Sequence, residues 1–472
     1  MERLVGRMEH KSNLDSYIAS NYSEFVVVYG RRRVGKTFLI REYLKGKFDF
    51  QMTGLANADM NEQLINFHAS IQKFSKEIIP FSNTWYKAFQ QLINVLEQST
   101  SKRKIIFIDE LPWLDSPKSG FLSAFEHFWN DWASVRNDIL LIVCGSATSW
   151  ITRKILNNKG GLHNRVTRRM SILPFTLKET EEYFNSRNIV FNRYQIVESY
   201  MVFGGIPYYL SLFEKGKSLA QNIDNLLFSP DAELKNEFKN LYASLFKNHE
   251  NYEKVIEALA KKSIGITREE LLTHTKLSDG GGFSKILQEL EECKFIRKYN
   301  SFDKKTKDGL YQLTDFYSLF YYKFIQKNEY NDAHFWSNSI DSAQHRAWTG
   351  YAFEQVCFAH TEQIKQKLGI SGIQTKIASW RSKTADKGAQ IDLLIERKDQ
   401  VINLCEIKYA TEEFVIDKKY DLQLRNKAAA FRTESKTHKA IHYTMITTYG
   451  VKQNEYAGLI QSEIKMEDLF IN

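Results

Sequence analysis

An α/β architecture built on a parallel sheet is the fold class this sequence predicts, and three apolar runs predict it. Residues 25–29 read Phe-Val-Val-Val-Tyr, 104–108 read Lys-Ile-Ile-Phe-Ile, and 139–144 read Ile-Leu-Leu-Ile-Val-Cys. These runs are short, rich in β-branched residues and continuous rather than alternating, the pattern of strands covered on both faces. Helical periodicity separates them, through Phe38, Leu39, Ile40 and Leu44 and again over 121–135. Strand and helix in alternation place the strands parallel.

The rest of the chain changes character in steps. From about 175 to 245 the periodicity is helical, with Glu179-Thr180-Glu181-Glu182 opening one helix and Gly204-Gly205-Ile206-Pro207 interrupting the run. Three helices follow, through Val255, Ile256 and Leu259, through Leu271 and Leu272, and through Ile286, Leu287 and Leu290. The second begins with a capping box, Thr267-Arg-Glu-Glu, and the third follows a turn at Gly280-Gly281-Gly282. Extended stretches at Phe295–Tyr299 and Tyr311–Leu313 complete three helices and a hairpin, a winged helix. Phe316, Tyr317, Phe320, Tyr321, Tyr322 and Phe324 suit a packed helix better than a base-stacking platform. A second α/β pattern begins near 345, with a helix around 347–368, strands near 391–395 and 401–407, a helix over 418–431 and a strand near 439–446. The expected divisions are 1–175, 176–245, 246–315, a connector at 316–345, and 346–472.

A length of 472 residues exceeds one ordinary core and suggests roughly three domains. The composition, 43% hydrophobic and 26% charged, is that of a soluble globular protein. A net charge of +9 fits a polyanionic partner, DNA first. Cys144, Cys293, Cys357 and Cys405 are scattered and read as buried reduced thiols. The N-terminal residues lack the apolar segment of a signal peptide, and no run reaches the ~18–20 apolar residues of a membrane span. The expected location is cytoplasmic, with no membrane partner.

The first strand runs into Gly30-Arg31-Arg32-Arg33-Val34-Gly35-Lys36-Thr37 and then a helix. Backbone N–H groups of such a loop cradle phosphate, aided by the helix N-terminus. Lys36 is placed to reach the β- and γ-phosphates of ATP, and the hydroxyl of Thr37 to meet Mg²⁺. The second strand ends in Asp109-Glu110. Asp109 can hold the same ion, and Glu110 can orient or deprotonate the attacking water. Ser146 and Thr148 follow the third strand and are candidates for sensing the γ-phosphate. Arg165, Arg168 and Arg169 form a basic cluster in which Arg165 is the favoured arginine finger, acting in cis or across the subunit boundary of a homo-oligomer.

Taken together these passages resemble the prokaryotic AAA+-like "archaeal ATPase" family, related to the signalling ATPases called STAND. The resemblance rests on Gly30–Thr37, on Ile108-Asp109-Glu110-Leu111-Pro112-Trp113, on Gly145-Ser146-Ala147-Thr148 and on Arg165–Phe175. It extends through Gly204–Tyr209, which it implies to be a helical lid, and through Tyr311–Phe324. It implies a P-loop NTPase core with ATP and Mg²⁺ as cofactors.

In the C-terminal part, Asp392 lies in the strand Gln390–Ile395, and Glu406-Ile407-Lys408 ends the strand begun at Val401. Side chains alternate along a strand, so Glu406 and Lys408 share a face that Asp392 can join from a neighbouring strand. Two carboxylates can bind Mg²⁺ while a lysine positions water for phosphodiester cleavage, and Glu354 on the preceding helix adds a third carboxylate. This set resembles the PD-(D/E)xK nuclease fold, an α/β restriction-endonuclease-like domain, although Ile391 stands where that motif has proline. The alternative is a nucleotide-dependent signalling or defence switch whose C-terminal domain binds nucleic acid or protein without cutting. The helix near 282–293 would read a duplex, with Glu289, Glu291 and Glu292 beside Lys285 weakening that role.

Overall fold

The computed structural model describes residues 4–146, 148–158, 160–246, 248–262, 265–299, 302, 309–328, 332–382 and 389–471. It divides into two compact units, Met1–Pro174 and Phe175–Asn472.

The first unit is built on five parallel strands: β1 (Glu24–Tyr29), β2 (Phe48–Thr53), β3 (Lys104–Asp109), β4 (Ile139–Gly145) and β5 (Arg168–Ser171). Their order is β2-β3-β4-β1-β5. The central strands β3 and β4 are buried along their whole length, which is why they read as unbroken apolar runs. At the two edges, β2 buries only Phe50 and Met52, and β5 buries only Met170, so neither gave a strand pattern. Arg168, read as part of a basic cluster, is tied to the buried Glu24 of β1 at 3.1 Å. The helical pattern over 121–135 is an α-helix at Phe121–His127 that widens to π-turns over Phe128–Ala133. Aromatic packing fills this side of the sheet: Phe25 meets Trp129 at 5.0 Å and Phe125 at 5.7 Å between ring centres, and Trp85 meets Phe121 at 4.9 Å.

The second unit opens with helices at Leu177–Ser186, one residue after a Thr176 cap, and at Arg193–Phe203. Gly204 and Gly205 both have positive φ, and a Cβ on Gly205 would meet the Phe175 carbonyl oxygen at 2.4 Å. Helices at His249–Ala260, Arg268–Thr275 and Gly281–Glu292 accompany a three-stranded antiparallel sheet of β6 (Ile266–Thr267), β7 (Ile296–Tyr299) and β8 (Leu310–Leu313). The turn expected over Gly280–Gly282 is shorter: Gly281 and Gly282 already belong to the helix that Gly280 caps. Phe320, Phe324, Trp336 and Trp348 pack edge-on into a buried cluster, so the aromatic stretch is core.

A mixed sheet forms the C-terminal part: β9 (Thr375–Arg381), β10 (Gln390–Arg397), β11 (Val401–Lys408), β12 (Ala440–Thr447) and β13 (Ser462–Lys465). The first three run antiparallel, while β12 lies parallel to β11 and β13 parallel to β12. The Lys418–Ser435 helix makes the crossover between β11 and β12 that parallel pairing requires. All four cysteines are buried. Among the described residues, no helix is long and apolar enough to cross a membrane.

Replacing Phe25 with Ala removes a fully buried ring from between Phe125 and Trp129, and should destabilise the N-terminal unit by about 3–5 kcal/mol. Urea denaturation followed by tryptophan fluorescence measures the loss.

Candidate nucleotide and metal sites

The loop after β1 is held in shape from inside. Gly30 has φ 147°, and a Cβ there would meet the Ile172 carbonyl oxygen at 2.2 Å, which leaves no room for a side chain. Lys36 is 4% exposed. Its ammonium donates to the carbonyl oxygens of Gly30 and Arg31, both at 2.9 Å, and to Ser146 Oγ at 3.1 Å. Val34 is buried, Arg31 is 5% exposed rather than facing solvent, and Arg32 and Arg33 are half-buried. The Val34 carbonyl accepts from Arg7 at 3.1 Å. Sequence reasoning missed Arg7; its signal was the Gly6-Arg7 pair before the first helix, both at positive φ.

Strand order then brings the acids to the loop. Thr37, in the first turn of the Lys36–Tyr43 helix, donates from Oγ1 to both oxygens of Asp109 at 3.0 Å. Arg41 of that helix lies 3.7 Å from Asp109. Burial, and then the charge of Glu110, hold the Asp109 carboxyl above its usual range. Because β4 lies between β1 and β3, Ser146 at its end sits between Lys36 and Glu110. Ser146 donates to Glu110 from Oγ at 2.7 Å and from its backbone N–H at 3.1 Å. Lys36, Ser146 and Glu110 are thus one hydrogen-bonded chain. The Thr148 side chain lies outside the described residues. Arg165 is exposed on the turn before β5. The hydroxyl and carboxylate of Thr37 and Asp109 are the hard oxygen donors Mg²⁺ takes, so the residues fit that ion.

A second cluster gathers on the C-terminal sheet. The β10–β11 register pairs Leu393 with Cys405, so one step further Asp392 faces Glu406. The β9–β10 register shifts between Ile391 and Leu394, a bulge that aims Asp392. The Ile407 backbone N–H lies near enough to favour the ionised form of Asp392. Glu354 arrives from the Ala343–Ala359 helix, close enough that its carboxyl is pushed up to about 8, by burial first and then by the charge of Asp392. The Asp392 carboxyl is pushed up to about 6 by burial and then by Glu406. The ammonium of Lys408 lies 5.5 Å from the centre of the Tyr420 ring. Glu354, Asp392, Glu406 and Lys408 therefore form one electrostatic cluster. The acids are oxygen donors suited to Mg²⁺, although among the described residues no three acidic, His or Cys side chains already stand in a metal-binding arrangement.

Two members of the cluster were not read from the sequence. Lys427 donates to Glu406 at 2.7 and 2.8 Å, and the Tyr420 hydroxyl donates at 3.3 Å. Lys427 shares a helix face with the buried Leu424, Ala428 and Phe431, and a lysine inside an apolar stripe was the available signal. In the Gly281–Glu292 helix, Glu289 is buried and accepts from the Tyr252 hydroxyl, and it also lies 4.0 Å from the Lys285 ammonium, beside that lysine as the sequence suggests. Ser284, Lys285 and Gln288 are exposed on the same helix.

A glycine-framed loop at the end of a buried parallel strand, a lysine and threonine opening the next helix, and paired acids ending a strand across the sheet make the N-terminal site that of a P-loop ATPase. Residues 4–213 match the sequence profile of a family described as ATPase domain predominantly from Archaea. An uncharacterized protein of Methanocaldococcus jannaschii is 27% identical over 414 residues, which span 86% of this chain and 87% of that one. Among solved structures, a Walker-type ATPase of Pyrococcus abyssi is similar with 16% identity and a TM-score of 0.49, covering 68% of this chain and 96% of that one. The ORC2 protein of Aeropyrum pernix is similar with 14% identity and a TM-score of 0.35, covering 66% and 91%. A STAND protein of Pyrococcus horikoshii with a tetratricopeptide repeat sensor is 15% identical with a TM-score of 0.34, covering 79% and 52%.

The raised carboxyl of Glu354 makes stability depend on pH. A carboxyl whose folded-state pKa lies above its unfolded value of 4.5 stabilises the fold only while protonated. Its contribution is full below that value and is lost as pH rises through about 8. Thermal melts from pH 5 to 9 should show the wild type losing stability more steeply than Glu354→Gln. Parallel curves would assign the dependence to other groups.

Proposed function

We propose that this chain is a cytoplasmic, ATP-hydrolysing switch whose nucleotide cycle controls a Mg²⁺-dependent DNA-cleaving site in its C-terminal part. The observation that carries the reading is the meeting of Asp392, Glu406, Glu354 and Lys408 at one end of the β10–β11 pair, in a chain that also holds a complete phosphate loop.

At the N-terminal site, Lys36 would exchange the carbonyls of Gly30 and Arg31 for the β- and γ-phosphate oxygens. That movement takes Lys36 away from Ser146, and Ser146 is what holds Glu110. Glu110 would then accept a proton from the attacking water while Thr37 and Asp109 hold the ion. Arg165, exposed before β5, would act as a finger on the phosphates of a neighbouring copy in a homo-oligomer. Residues 176–245 would form the lid.

At the C-terminal site, of PD-(D/E)xK type, Asp392 and Glu406 would hold Mg²⁺, with Glu354 completing the set and Lys408 orienting the attacking water. In both sites the bound ion supplies positive charge that stabilises the phosphoryl oxygens as charge builds on them. The winged helix at 246–315 would present Ser284, Lys285 and Gln288 to the duplex. Glu289 beside Lys285 offsets part of that lysine's charge, and the net charge of +9 is what favours DNA over a protein contact.

A second reading, a nucleotide-dependent signalling or defence switch that binds nucleic acid or protein without cutting it, draws on Lys427 already occupying both oxygens of Glu406. Two variants separate the readings. Lys36→Ala should lower ATP turnover at least about 100-fold under either. Glu406→Ala should abolish Mg²⁺-dependent nicking of DNA and keep ATP turnover near the wild-type rate. A wild type that nicks neither single-stranded nor duplex DNA, with Mg²⁺ or Mn²⁺ and with or without ATP, would hand the case to the second reading.

A further inference from the structure

A lone buried carboxylate needs a counter-charge, and Glu406 has found one that a metal ion would have to remove. Its side chain is 5% exposed, and Lys427 donates to both of its oxygens. A divalent ion binds through the same lone pairs, so ammonium and metal compete for one place. The Lys427 side chain is 26% exposed, which gives the ammonium a route to water. Its departure breaks no backbone hydrogen bond, because a flexible four-carbon stem carries it.

The other contacts of the cluster suit an exchange. The Tyr420 hydroxyl on Glu406 comes from a group that need not move. Glu406 therefore keeps a partner after the lysine leaves. Lys408 rests against the Tyr420 ring and leaves the Glu406 oxygens to Lys427.

From this geometry we infer that Lys427 is a resident cation that fills the Glu406 position of the C-terminal metal site and is displaced when a divalent ion binds. This rests on Asp392 and Glu406 being metal ligands. The site is then kept neutral and folded without metal, at a cost in metal affinity. Lys427 is a positioning residue acting through Glu406, and it sets the concentration of divalent ion at which the site loads.

The test is Mn²⁺ binding to the full-length chain without nucleotide, followed by the free-Mn²⁺ paramagnetic resonance signal, with Asp392→Asn as the blank. Lys427→Met should bind Mn²⁺ about tenfold more tightly than the wild type, the reverse of the roughly 10–100-fold loss that follows when a supporting partner of a metal ligand is removed. Mn²⁺ should also raise the melting temperature of Lys427→Met by more than it raises that of the wild type. Lys427→Gln keeps a hydrogen bond to Glu406 without the charge and should fall between the two; it carries the test if the methionine variant does not fold. Equal or weaker Mn²⁺ binding in the variants would overturn the exchange and leave the metal site standing. No Mn²⁺ binding above the Asp392→Asn blank, in wild type or variants, would overturn both.

Discussion

An ammonium group that is almost wholly withdrawn from water must be solvated by protein atoms, and in the N-terminal unit those atoms are the loop itself. Lys36 draws the carbonyls of Gly30 and Arg31 inward. The lysine thus fixes the backbone of the loop from inside. Gly30 is the partner of this arrangement: only a residue without Cβ lets the chain pass the Ile172 carbonyl at that φ. Sheet order does the rest. With β4 between β1 and β3, the ends of three strands converge, and one serine hydroxyl links Lys36 to Glu110.

The C-terminal cluster meets the same physical difficulty with the signs reversed. Three acids are drawn together in a partly desolvated pocket, and burial first, then their mutual repulsion, raises two of their pKa values. Lysines from β11 and from the crossover helix offset the charge. In both units a buried charge is held by protein groups: backbone carbonyls around Lys36 in one, the Lys427 ammonium on Glu406 in the other.

Most of the first site was legible because it is written within short stretches. Eight consecutive residues carry the loop, and two adjacent acids end an apolar strand. The central strands were legible because burial on both faces leaves an unbroken apolar run. The edge strands were not. Arg168-Arg169-Met170-Ser171 of β5 covers core with one methionine and reads as a basic cluster, and β13, Ser462–Lys465, buries only Ile464. The burial of Glu289 was not legible for a related reason: an acid on a helix is taken as solvated until a neighbouring helix brings a tyrosine hydroxyl to it.

By itself the sequence determined the chemistry available: a phosphate loop, a hydroxyl and a carboxylate for an ion, and acids with a lysine near two strand ends. These follow from residue type and from strand and helix periods, which are local properties. The tertiary structure decided who meets whom. Ser146 reaches Lys36 across 110 residues because of strand order, and Lys427 reaches Glu406 across 21 because the crossover helix lays one face on β11. Such pairings depend on how layers pack, and periodicity along the chain carries no record of that packing.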